Sequence, residues 1–167
     1  MSTKIKNLHR LKQKDIKALQ DEIAEQFSEA VVQDLNAVEI GKVQHRELIF
    51  IDKKAIFFKQ NDQLFFTILG LLMLKPQKRK VVVDMGAVKF VTNGADVMAP
   101  GIVDADKEIE AENQVWICDE THGKPLAVGI ALISGDEMVQ QSSGKAVRLV
   151  HYIGDQLWTL IRYLESG

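Results

Sequence analysis

Between residues 13 and 35 the apolar positions recur at three- and four-residue steps: Ile16, Leu19, Ile23, Phe27, Ala30, Val31 and Leu35. That period predicts an amphipathic helix with one apolar stripe. From residue 38 the period shortens. Residues 38–40, 47–52, 55–59 and 64–66 are β-rich runs parted by the polar turns Asp52-Lys53-Lys54 and Asn61-Asp62-Gln63, so they read as short strands. Residues 67–74 are apolar without alternation and suit a short buried helix. The expectation is an α+β domain over residues 1–75, near the lower size limit for an independent core.

Lys75-Pro76-Gln77-Lys78-Arg79-Lys80 interrupts the pattern and is the best domain boundary in the chain. It serves either as a solubilising linker or as a phosphate-facing rim. Beyond it the sequence becomes strand-rich. Residues 81–83, 97–98, 102–103, 115–118, 126–134 and 146–152 read as strands, with a short helix over 86–91 ending at Asn93-Gly94. Gly129, inside the longest run, marks a bulge or a close approach. Such close spacing predicts a small, closed β-structure. Residues 91–102 raise a question of their own. They carry two turn signals, Asn93-Gly94 and Pro100-Gly101, with small residues between. Two ordinary turns explain this; so does a surface where a ligand approaches the backbone.

Composition narrows the function classes. The chain has 167 residues, 46% of them hydrophobic, with a net charge of −2. Residues 1–75 carry a net +2 and residues 76–167 a net −4. A nucleic-acid partner would therefore be held by a local patch rather than by the overall field. Lys12, Lys14 and Lys17 crowd the start of the first helix, where they oppose its dipole; they have another partner or form a solvated basic face. The apolar runs fall short of the ~18 residues that span a bilayer, and no apolar signal core follows the basic N-terminus, which points to a cytoplasmic protein without a membrane partner. The one cysteine, Cys118, sits in a β-rich run and reads as a buried, inert thiol. His9, His45, His122 and His151 lack metal-ligand spacing. The acidic run over residues 104–112 lacks the ligand order and turn glycine of a calcium loop and reads as a solvated edge strand or loop, facing away from RNA. Neither a metal nor a cofactor is expected.

The second half resembles the PUA domain, named for pseudouridine synthases and archaeosine transglycosylases. The likeness rests on Val82-Val83-Asp84-Met85-Gly86-Ala87, Asn93-Gly94-Ala95, Val97-Met98-Ala99-Pro100-Gly101-Ile102, Ala127-Val128-Gly129-Ile130-Ala131 and Val150-His151-Tyr152. With the preceding domain and the closing HYIGDQLW, nearly the whole chain is similar to the malignant T-cell amplified sequence family, its archaeal relatives and part of ligatin. Asp84 and Met85 stand where relatives often carry basic residues. The resemblance implies an α+β N-terminal domain (residues 1–75) followed by a mainly-β PUA pseudobarrel with short helices (79–160). It also implies non-catalytic binding of structured RNA in translation: tRNA or rRNA of the small subunit, in initiation or recycling. Eukaryotic members work with a density-regulated partner protein, so a translation-factor partner is implied too.

Mapped onto this chain, the PUA binding surface would comprise Lys89, Thr92, Asn93, Gly94, Ala95, Asp96, Val97, Met98, Pro100 and Gly101. Small residues there would let a sugar-phosphate chain meet bare peptide groups. Asp96 would accept from a base amino group or a 2′-OH, whereas Met98 suits the core. His151 and Tyr152 would stack on or bond to a terminal nucleotide, or form a partly buried aromatic pair. Arg148 and Lys145 would supply charge, and Lys75, Lys78, Arg79 and Lys80 would add phosphate contacts. Trp158 and Leu157 would pin the C-terminal helix. Two other roles fit the same implication. One is an adaptor whose first domain holds a protein through the apolar run over 64–74; the other is a specificity subunit for a separate RNA-modifying enzyme. The first 75 residues lack a glycine-rich phosphate loop, a Cys/His pair and clustered carboxylates in a small-residue turn, which argues against catalysis.

Overall fold

The computed structural model describes residues 4–28 and 35–167. The chain divides into two compact units, one of residues Met1–Lys78 with Tyr163–Gly167, the other of Arg79–Arg162.

The first unit is an antiparallel meander with two helices. Its elements are β1 (Lys6–Arg10), α1 (Gln13–Phe27), β2 (Val38–Val43), β3 (Arg46–Ile51), β4 (Lys54–Gln60), β5 (Gln63–Phe66) and α2 (Ile68–Leu74), with strand order β1-β2-β3-β4-β5. Ile16, Leu19, Ile23 and Phe27 form the buried stripe of α1. The helix ends at Phe27, where Ser28 leaves helical geometry at φ 106°; of the later apolar positions, Ala30 and Val31 lie outside the described residues and Leu35 is buried. Asp52, Lys53, Asn61 and Asp62 all have positive φ, as two-residue hairpin turns of the right-handed strand twist require. Phe57 and Phe58 of β4 and Phe65 and Phe66 of β5 are fully buried. Phe57 meets Phe66 at 4.6 Å between ring centres, and Phe27 of α1 meets Phe66 at 4.7 Å. Thr67 caps α2, accepting from Gly70 N–H at 2.9 Å and donating to Ala55 C=O at 2.6 Å. A side chain at Gly70 would strike the Ile56 carbonyl, so α2 lies directly on the β4 backbone.

The second unit comprises β6 (Lys80–Val83), α3 (Met85–Val91), β7 (Val97–Met98), a 3-10 turn (Ala99–Gly101), β8 (Ile102–Ala105), β9 (Gln114–Asp119), β10 (Pro125–Ala131), α4 (Gly135–Gln140), β11 (Lys145–Tyr152) and most of α5 (Gln156–Ser166). Strand order is β7-β11-β10-β9-β6-β8, with β6 and β9 parallel and the other neighbours antiparallel. The two edges, β7 and β8, are consecutive in the chain and joined by the 3-10 turn, so the sheet nearly closes on itself. This is the mixed pseudobarrel with short helices that the resemblance implies. Val81, Val83, Val97, Ile117, Leu126 and Val147 fill its interior. The register slips between Val128 and Gly129, where a side chain at Gly129 would meet the Arg148 carbonyl. Gly129 thus marks both the bulge and the close approach.

Two elements depart from the sequence reading. β1 is exposed along its whole length, so it carries no buried alternation to read. The long strand stops at Ala131, and Ser134 opens α4 with a capping box to Glu137. The Ser-x-x-Glu spacing was the available signal. Ile109, inside the acidic run, is buried, and Asp106 there accepts from the N–H of Arg79 at 2.7 Å and of Glu108 at 3.0 Å. Asp104 and Ala105 belong to the edge strand β8, and the stretch beyond them is a loop packed through Ile109.

Candidate nucleic-acid interface

Asp84 starts the local construction. It follows β6, and its carboxylate accepts from the Ala87 N–H at 2.8 Å, capping α3. The helix closes over Thr92–Ala95: Gly94 N–H donates to Val91 C=O and Ala95 N–H to Phe90 C=O, both at 3.0 Å. Gly94 takes the left-handed position at φ 87°, as a glycine past a helix end does cheaply. The chain then turns into β7 and the 3-10 turn at Pro100. Between α3 and this segment lies an open cavity of about 640 Å³. One wall is the face of α3 bearing Gly86, Ala87 and Phe90; the other is Ala95, Met98, Pro100 and Gly101. Phe90 is 59% exposed and Met98 46%, which makes an apolar margin unusual for solvent-facing positions. The charged lining groups are Asp84, Asp96 and Lys145.

Of the residues mapped from the sequence, Ala95, Asp96, Val97, Met98, Pro100, Gly101 and Lys145 line this cavity. Met98, expected in the core, is instead at its margin. Val97 is buried at 2% exposure and points into the barrel, so its side chain is not a contact group. Asp96 is engaged internally. It accepts from the Leu149 N–H at 3.0 Å and pairs with Lys145 Nζ at 3.4 Å, which ties α3's exit to β11 and occupies the oxygens expected to meet a base. Thr92 and Asn93 turn back to cap the helix, donating to Lys89 C=O at 3.3 and 2.9 Å. Lys89 is exposed, its ammonium 5.9 Å from the Phe90 ring centre. Arg148 is exposed on β11 outside the cavity lining.

Gly94 answers the question raised by residues 91–102 in part. A β-carbon there would sit 2.8 Å from the Tyr152 ring, so one close approach that this glycine permits is made by the protein's own tyrosine. The cavity beside it stays open. His151 requires a correction: it is fully buried, and Nδ1 lies 2.9 Å from Asp155 Oδ2, so its ring cannot stack on a nucleotide. Burial alone would raise the Asp155 carboxyl. The hydrogen bond and charge of His151, with the N–H groups of Trp158 and Tyr152, outweigh burial and hold it below the usual carboxylate range. Leu157 is buried and Trp158 half-buried at the start of α5.

The proposed phosphate rim is divided between the two units, Lys75 and Lys78 in the first and Arg79 and Lys80 in the second. Lys75 caps α2 in left-handed geometry, and Lys78 is an exposed residue of the first unit. Arg79 donates from its guanidinium toward Gln114 C=O at 3.5 Å, and Lys80 lies 6.0 Å from the Trp116 ring centre. Both stand at the start of β6, whereas the cavity opens beyond its end, about 10 Å along the strand. The α3 face of Gly86, Ala87 and Phe90 is what the sequence reading missed. Phe90, four residues after Gly86 on a short polar-flanked helix, was the available signal. Among the described residues no cluster of three His, Cys, Asp or Glu could hold a metal. Cys118 is buried, and burial raises its pKa despite nearby Lys80. No helix is long and apolar enough to cross a membrane among the described residues.

A near-closed mixed sheet with a helix-walled cavity at β7 is a PUA fold, and residues 79–153 match the PUA domain family. Residues 7–74 match a domain of unknown function, DUF1947. An uncharacterized protein of Methanocaldococcus jannaschii is 44% identical, the alignment covering 92% of this chain and 96% of that one. Malignant T-cell-amplified sequence 1-B of Xenopus laevis is 29% identical, covering 95% and 94%. Translation machinery-associated protein 20 of Schizosaccharomyces pombe is 33% identical over 68% of this chain and 66% of its own. A crystal structure of a hypothetical protein from Pyrococcus horikoshii superposes with a TM-score of 0.86 at 36% identity, covering 92% of this chain and 99% of that one. The chain belongs to the PUA-domain family of the malignant T-cell-amplified sequence type.

Proposed function

We propose that this protein is a non-catalytic RNA-binding factor of translation, contacting tRNA or the small ribosomal subunit in initiation or recycling. The observation that carries the reading is the open cavity between α3 and β7, with Phe90 59% exposed at its margin. An unpaired base offers a flat π-face, and an exposed aromatic beside a shallow apolar recess accommodates one without sequence readout. Lys145 and Lys89 stand close by for the attached phosphates. Membership of the family, and a relative whose name places it with the translation machinery, support the translational setting. A translation-factor partner protein belongs to the same proposal.

The test is a titration of structured RNA carrying an unpaired tail, repeated across salt concentrations. Log K should fall with log salt by about 0.7–0.9 per phosphate contact. Phe90→Ala should weaken binding by about 1–3 kcal/mol with little change in that slope. The cavity's lining is mainly apolar and, among the described residues, Lys145 is its one cation, which favours a second reading: an adaptor that receives a protein segment there. RNA affinity that is negligible, or flat with salt, would turn the assignment to the adaptor.

A further inference from the structure

Along β1, its partner β2 and the start of α1, six cations are without a carboxylate among the described residues. β1 is an exposed edge strand, and Lys6 stands directly opposite Lys42 of β2. Like charges so placed repel. Arg10 stands opposite Glu39, but that carboxylate is held by Lys53 at 2.9 Å. Glu47 of β3 is the neighbour of Lys42 on its other side and forms no ion pair with it. β1 runs on into α1, the Leu11 N–H bonding to Val38 C=O at 2.9 Å. Lys12 takes the N-cap position without a side-chain cap bond, and Lys14 and Lys17 follow, with Asp15 the acid of the first turn. Cations at a helix start oppose the dipole. Among the described residues, Lys6, Arg10, Lys12, Lys14, Lys17 and Lys42 make no ion pair. Lys53, Lys54 and Lys59 of the same unit each hold a carboxylate, at 2.9, 2.6 and 3.2 Å.

The fold therefore keeps a stripe of cations in an arrangement unfavourable to itself, from the Lys6–Lys42 pair to the first turns of α1; Arg10, opposite Glu39, projects from the other face of the β1–β2 pair. We propose that this stripe is a second RNA contact, taking the sugar-phosphate backbone of a duplex, while the cavity at α3 takes unpaired bases. The proposal rests on the RNA-binding reading. An acidic protein segment fits less well: Leu8 is the large apolar residue of β1, whereas a protein interface needs an apolar centre. Phosphate contacts need only cations and counterion release.

The experiment uses the full chain and an RNA hairpin with an unpaired tail. In one variant Lys6, Lys14, Lys17 and Lys42 all become Gln; in a second they become Arg. The Gln variant should lose affinity, and its slope of log K against log salt should be shallower by about 3, at about 0.7–0.9 per contact. The Arg variant should keep the slope. The thermal midpoint of the Gln variant should hold or rise, since repulsion is removed, which separates lost contact from lost fold. An unchanged slope in the Gln variant, with wild-type binding intact, overturns the stripe and leaves the cavity reading standing. The same result with loss of polyglutamate binding reassigns the stripe to an acidic polypeptide and equally overturns it. Wild-type protein that does not bind the hairpin overturns both readings.

Discussion

Gly94 shows how one missing side chain serves backbone and packing at once. Its φ of 87° lies where side chains are disfavoured, and the Tyr152 ring fills the space a β-carbon would need. Gly94→Val should therefore cost about 1–3 kcal/mol in denaturant unfolding. In a Tyr152→Ala background the steric part should disappear and the backbone part remain. A Val variant as stable as the parent would show that the turn does not need this geometry. That a glycine stood at the end of α3 was legible from Asn93-Gly94, because the left-handed requirement is local. That Tyr152 was its neighbour was not, because the two lie 58 positions apart and meet only when β11 pairs with β7. His151 makes the same point. A histidine at a strand end reads as available, yet its accessibility depends on the Asp155 carboxylate and the barrel packed around it.

At the scale of elements, the turn between β9 and β10 is organised by Asp119. Its carboxylate accepts from the N–H groups of Thr121 at 2.9 Å, His122 at 2.6 Å and Lys124 at 3.0 Å. The His122 N–H chiefly, with those of Lys124 and Thr121 and the nearby His122 charge, lowers the Asp119 pKa against the opposing effect of burial. A carboxylate whose folded pKa is depressed adds stability above its unfolded value, near 3.9, and loses it as pH falls through the folded value. Wild-type protein should thus lose stability below about pH 4 more steeply than Asp119→Asn, read as unfolding midpoints across pH. At neutral pH, Asp119→Ala should cost about 1–3 kcal/mol, since these amide donors lose their shared acceptor. Identical acid profiles for wild type and Asn would remove the carboxylate's role. Helices and hairpins with a buried stripe or a turn pair, such as α1 and β3–β5, were readable because their patterns repeat locally. β1 and α4 were not: the first buries nothing, and the second is a six-residue helix carried by its capping box.

For the molecule as a whole, the division into Arg79–Arg162 and the remainder leads us to propose that residues 79–162 fold alone. Expressed by itself, this segment should unfold in one cooperative transition and keep dispersed amide resonances; a molten, non-cooperative fragment would show that it depends on the rest of the chain. Its near-closed sheet supports this, since the 3-10 turn joins the two edges covalently and little strand edge is left to pair elsewhere. Sequence alone determined the strand-rich second half, the helix-to-turn signal at Gly94 and the family, because these rest on local periodicity, local backbone demands and motif order. Tertiary structure decided which mapped side chains are reachable. It sent Val97 and His151 inward, engaged Asp96 with Leu149 and Lys145, and raised Phe90 and Met98 beside an open cavity. The reason is that accessibility is a property of what packs across a residue, and strands distant in sequence supply that packing only after the barrel has formed.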